Sequence, residues 1–81
     1  MKELKPTKVR KVIKTLTKLG YTLVRVHGSH LVFKGADGRI TVVPRHGNGE
    51  IGRGLLRKIA LDLGMSPEEF AQKLQDSEGS L

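Results

Sequence analysis

Eighty-one residues, 37% of them hydrophobic and none of them cysteine, suffice for one small aliphatic core and exclude a disulfide framework or a thiolate metal site. No apolar run approaches the roughly 20 residues that span a bilayer, and Met1–Pro6 has no hydrophobic stretch of the signal-peptide kind, so a cytoplasmic, membrane-independent protein is expected. The net charge of +7 is one-sided: residues 1–58 hold 14 of the 15 Lys and Arg against only Glu3, Asp37 and Glu50, while residues 59–81 set Lys73 against five acids.

A first helix is expected over about Thr7–Leu19, where Val9, Val12, Ile13, Leu16 and Leu19 share one stripe and Lys8, Lys11, Lys14 and Lys18 fall largely off it. Thr7, after Pro6, is the expected N-cap and Gly20 the stop. Three strands follow. Tyr21–His27 alternates, with Thr22, Val24 and Val26 on one side and Tyr21, Leu23, Arg25 and His27 on the other. Gly28-Ser29 turns into a second strand, about His30–Lys34. Gly35-Ala36-Asp37-Gly38 signals a hairpin into a third, about Arg39–Val43, closed by Pro44. Connections this short leave no room for a crossover helix, so the sheet is expected to be antiparallel. Arg45–Glu50 reads as a loop. A second helix begins near Ile51–Arg53, presents Leu55, Leu56, Ile59 and Leu63, and ends at Gly64. Ser66, Pro67 and Glu69 spell a capping box for a short third helix to about Leu74. The expected whole is one α+β domain over residues 1–81. Its order is α-β-β-β-α with a short extra C-terminal helix, its helices lie on one face of a three-stranded antiparallel sheet, and its first six residues and residues 76–81 are frayed.

A basic excess of this size is either a solvated surface or a footprint for a polyanion, and its one-sidedness favours the second. No helix pairs a basic face with a Trp/Phe-rich one, which argues against a membrane surface. Against that background His30, at the Gly28-Ser29 turn, is the leading chemical residue, because an imidazole titrates near neutral pH and moves protons without a metal. RNA carries its own nucleophile in the ribose 2′-hydroxyl; a neutral imidazole can remove that proton, and an imidazolium can protonate the leaving 5′-oxygen. Read alone, His30 is more readily a strand-edge histidine with no chemistry. Nothing in the sequence places His27 or His46 opposite it. Three histidines without Asp or Glu at ligand spacing make a poor zinc site, so neither metal nor cofactor is expected.

The runs Leu19-Gly20-Tyr21, Arg25-Val26-His27-Gly28-Ser29-His30-Leu31-Val32-Phe33, Val42-Val43-Pro44-Arg45-His46 and Ile51 through Gly64 together resemble the HicA family of toxins from toxin–antitoxin modules. Met65-Ser66-Pro67-Glu68-Glu69-Phe70 is similar to the family's C-terminal end. The resemblance covers roughly residues 7–70. It implies a double-stranded-RNA-binding-domain-like fold, a messenger-RNA-cleaving ribonuclease activity, and a HicB-type antitoxin that covers the active site. The family's catalytic histidine, the one in Gly-Ser-His, maps onto His30. Around it the candidate RNA contacts are Arg25, Gly28, Ser29, Lys34, Arg45, His46, Arg53, Arg57 and Lys58. Arg25 would stabilise charge on phosphate, and the basic side chains at the start of the second helix would seat a phosphate. Two other readings stay open: a non-catalytic RNA-binding module of the same fold, and a DNA-binding regulator, although no helix-turn-helix pair is apparent.

Overall fold

The computed structural model describes residues 3–45 and 49–79, with backbone only at 78 and 79. In chain order it contains β1 (Thr7–Lys8), α1 (Val9–Lys18), β2 (Thr22–His27), β3 (His30–Lys34), β4 (Ile40–Pro44), β5 (Glu50–Ile51), α2 (Arg53–Asp62) and α3 (Pro67–Gly79). Strands β2, β3 and β4 form an antiparallel sheet in that order. Alternation along β3 and β4 sends Leu31, Phe33, Thr41 and Val43 into the core and leaves His30, Val32, Lys34, Ile40, Val42 and Pro44 on the other face. The helices cover the first face only. The architecture is therefore the expected α+β arrangement.

The core joins Val12 and Leu16 of α1, Phe33 and Val43 of the sheet, Leu56 and Ile59 of α2, and Phe70 of α3, all at most 2% exposed. Full burial of such a side chain is worth about 1.5–3 kcal/mol. Thr15 is also buried, and its hydroxyl donates to the Lys11 carbonyl at 2.9 Å, so it brings no unmet polar group inside.

Helix ends follow the sequence closely at three places. After α1 the amides of Gly20 and Tyr21 donate to the carbonyls of Thr17 and Leu16 at 3.1 and 2.9 Å. After α2 those of Gly64 and Met65 donate to Leu61 and Ala60 at 3.0 and 2.9 Å. Both are Schellman closures. At the start of α3 the Glu69 amide donates to the Ser66 hydroxyl at 3.1 Å, the N-cap bond that the Ser-Pro-Glu-Glu run announces.

Five expectations are corrected. Thr7 does not cap α1: it pairs with Ile51 in a two-residue ladder, β1 against β5, and its hydroxyl donates to Lys5. The Val9 amide, one of the orphans at the helix start, donates instead to the Gly49 carbonyl at 2.7 Å. The stretch after β4, read as loop throughout, thus ends in a strand. Helix α3 runs past Leu74 to Gly79, because Phe70, Leu74 and Ser77 recur at helical spacing and are all buried. Leu4, inside the six residues expected to fray, is buried in the core; residues 80–81 lie outside the described residues. Finally, β2 does not alternate as drawn. Leu23 is opposite Phe33 and Arg25 opposite Val32, so Val24 is one extra residue, a bulge. Leu23 and Val26 therefore share the helix side, whereas Arg25 and His27 share the open side.

Candidate active site

Two residues, Gly28 and Ser29, connect β2 to β3. Gly28 has φ +62°, and Ser29 is not in the positive-φ region. That combination is the type II′ pattern, whose twist matches that of the flanking strands. A loop this tight forces the flanking residues to face each other, and His27 and His30 are indeed register partners. Directly opposed residues point to the same side of a sheet with Cβ atoms about 4.5–5.5 Å apart. Both histidines are exposed on the open face.

On its other side His30 is the partner of Pro44. One residue further, the Arg45 amide donates to the Ser29 carbonyl at 2.6 Å, tying the end of β4 to the hairpin turn. Arg25 follows the bulge on the same side of β2 as His27. One end of the open face thus gathers His27, His30 and Arg25, with the Gly28-Ser29 turn and the exposed Arg45 at its edge. Strands β2, β3 and β4 contain no Asp or Glu, so no carboxylate on this sheet offsets the cations.

The helices add to the same end. The Thr41 hydroxyl donates to Asp62 at 3.0 Å, and the Arg39 guanidinium lies against Gly64. Both contacts put the C-terminus of α2 at the β3–β4 turn, so its N-terminus lies at the His30 end. Helix α1 likewise starts beside Gly49 and finishes at the approach to β2. Neither helix has an acidic residue in its first turn or a side-chain cap. Two positive dipole ends therefore share the site's end of the molecule. Along α1, Lys8, Arg10, Lys11 and Lys14 line a shallow groove of about 440 Å³.

Not every candidate contact converges. Lys34 lies on the open face but at the far end of β3, opposite Thr22 and Ile40. Four residues of strand put it about 13 Å from His30. Arg53 and Arg57 are exposed on α2, in the helix layer. Lys58 is turned to Asp62 at 3.2 Å, toward the C-terminal end of its helix and away from the histidines. His46 lies outside the described residues. The residue that sequence reasoning left without a role is His27. The signal that finds it is loop length, since a two-residue hairpin fixes which positions are opposed.

Among the described residues no group of three or more His, Cys, Asp or Glu is placed to hold a metal ion. No helix among them is long and apolar enough to cross a membrane. This end of the molecule is chemically suited to a phosphodiester: imidazoles for protons, guanidinium groups and nearby helix starts for negative charge. No curated protein matches the chain. The family model described as the HicA toxin of bacterial toxin–antitoxin systems matches residues 9–65, well over half of the sequence and every element that builds this face. The chain belongs to the HicA toxin family.

Proposed function

We propose that the protein is an endoribonuclease toxin that cleaves messenger RNA without a metal, with His30 as general acid or base, and that a HicB-type antitoxin neutralises it. The observation that carries this reading is the position of His30. It is an exposed imidazole at the mouth of a tight hairpin, with Arg25 on the same face, Arg45 just past the end of the neighbouring strand and no acid on the three-stranded sheet. RNA lying across this end meets groups of both kinds that transesterification needs, a proton carrier and cations for the phosphate.

In this reading Gly28 and Ser29 set the turn that presents the imidazole. Arg25 and Arg45 hold the scissile phosphate, and Lys34 meets the strand further along the open face. A double-stranded-RNA-binding-domain-like body leaves the open sheet face for the strand. An antitoxin has a place to dock along the edge strand that carries His27: Leu23, Val24 and Val26 of β2 are 45%, 55% and 54% exposed. An apolar strip beside a cationic site suits a partner that brings apolar and acidic groups together.

The test is His30→Ala. RNA cleavage by the purified variant should fall by about 10²–10⁴ while RNA affinity is kept, and the growth arrest caused by expressing the wild type should disappear. Full cleavage by the variant would remove His30 from the mechanism. A wild type that binds RNA and never cuts it would instead identify a non-catalytic RNA-binding module.

A further inference from the structure

We propose that His27 is a second catalytic residue, so that cleavage uses His27 and His30 as an acid–base pair. The inference rests on the ribonuclease reading above and adds a group to it. It starts from register: His27 and His30 are opposed across the β2–β3 ladder, the last pair before the two-residue turn. Opposed side chains rise from the same face about 4.5–5.5 Å apart at Cβ, close enough for one phosphodiester to touch both rings.

Internal cleavage of RNA moves two protons in one turnover. The 2′-oxygen loses one as the O2′–P bond forms, and the 5′-oxygen gains one as the P–O5′ bond breaks. Lone imidazoles serve these events only in succession. A pair with one ring neutral and one protonated serves both at once: the neutral ring takes the 2′ proton, and the imidazolium supplies the leaving group. The products are a 2′,3′-cyclic phosphate and a 5′-hydroxyl, with no net proton change and no oxidant or reductant. The two rings end with exchanged protonation, which water resets.

The surroundings fit this division of labour. The charged group beside the pair on the open face is Arg25 on β2; Arg45, whose amide is tied to the turn, follows Pro44 at the end of β4. Pro44 flanks His30, and Val32 follows it on the same face of β3. No strand of the sheet supplies a carboxylate to pair off either imidazolium. A bound phosphate is then the anion that both rings face.

The experiment measures kcat/KM against pH on a short RNA for the wild type, His27→Gln and His30→Ala. The same variants are then run on RNA whose scissile 5′-oxygen is replaced by sulfur, a leaving group that needs no proton. The wild type should give a bell-shaped profile. His27→Gln should keep RNA affinity and melting temperature, lose about 10²-fold or more in rate and lose one limb of the bell. The sulfur substrate should rescue one of the two variants, the one that lacks the acid, and leave the other slow. Wild-type rate and profile in His27→Gln would overturn the pair and leave His30 acting alone. A slow His27→Gln that keeps both limbs, with neither variant rescued, would also overturn it and reduce His27 to a positioning residue. A wild type that does not cleave RNA at any pH would overturn the ribonuclease reading and the pair together.

Discussion

Gly28 and Ser29 make a turn only two residues long, and that brevity decides which side chains meet. With φ at +62°, Gly28 occupies a region that costs an L-residue about 1–2 kcal/mol. A methyl group added there touches nothing within 4 Å, so the penalty for Gly28→Ala is purely conformational. We expect a melting temperature lower by several degrees, at about 4–8 °C per kcal/mol for a domain of this size. Cleavage should fall too, because the turn aims His30; an unchanged melting curve would mean that the hairpin relaxes freely. The Gly-Ser-His triplet was legible in the sequence as a turn followed by a candidate proton carrier. The opposition of His27 was legible in principle, through loop length, but only once both strand ends are fixed. The loss of Lys58 to Asp62 was signalled by the i, i+4 spacing of opposite charges. As an exposed pair it is worth little energetically, yet it turns that lysine away from the site.

Elements were readable wherever a local signal closes them. Gly20, Gly64 and Ser66 end or begin their helices as their chemistry demands. Two features had no such signal. A two-residue strand shows no periodicity, so the pairing of β1 with β5 was hidden and Thr7 was taken for a cap. A period-two pattern cannot announce an inserted residue, so the bulge at Val24 was hidden as well. The bulge matters for the site, because it separates Leu23 from Arg25 and leaves Arg25 with His27 on the open face. The β3–β4 hairpin was predicted from Gly-Ala-Asp-Gly, and its acid supports it. The Arg39 amide donates to the Asp37 carboxylate at 3.0 Å and the Arg39 guanidinium at 2.9 Å, and together they hold the Asp37 pKa below its ordinary 3.8. A carboxylate with a lowered folded-state pKa stabilises the fold above its unfolded-state value. That contribution fades as pH falls through the lowered value. Melting temperatures recorded from about pH 6 downward should therefore show an extra acid-induced loss that begins below about pH 4 and is missing in Asp37→Asn. Parallel curves for the two proteins would deny the hairpin bond any role in solution.

For the molecule as a whole, the chain path brings two helix starts and two arginines to the end where chemistry is proposed. The starts of α1 and α2, Arg25 and Arg45 lie toward one pole, and the acids of residues 59–81 belong mostly to α3. The charge imbalance was visible in the sequence but its geometry was not, because only the fold says which ends of α1, α2 and the sheet coincide. Affinity for single-stranded RNA should accordingly fall as salt rises, by about 0.7 in log K per log unit of salt for each phosphate neutralised. Three to five contacts imply a slope of roughly −2 to −3.5, and a flat response would deny an electrostatic footprint. The deepest claim is that a ribose hydroxyl breaks its own strand while protein imidazoles handle the protons. The most direct check is the chemistry of the cut ends when the purified protein digests RNA in excess chelator. Transesterification requires 2′,3′-cyclic phosphate and 5′-hydroxyl ends, with no cutting where the nucleotide before the break is 2′-deoxy. Ends bearing 5′-phosphate, or cleavage that stops in chelator and returns with a divalent ion, would contradict it.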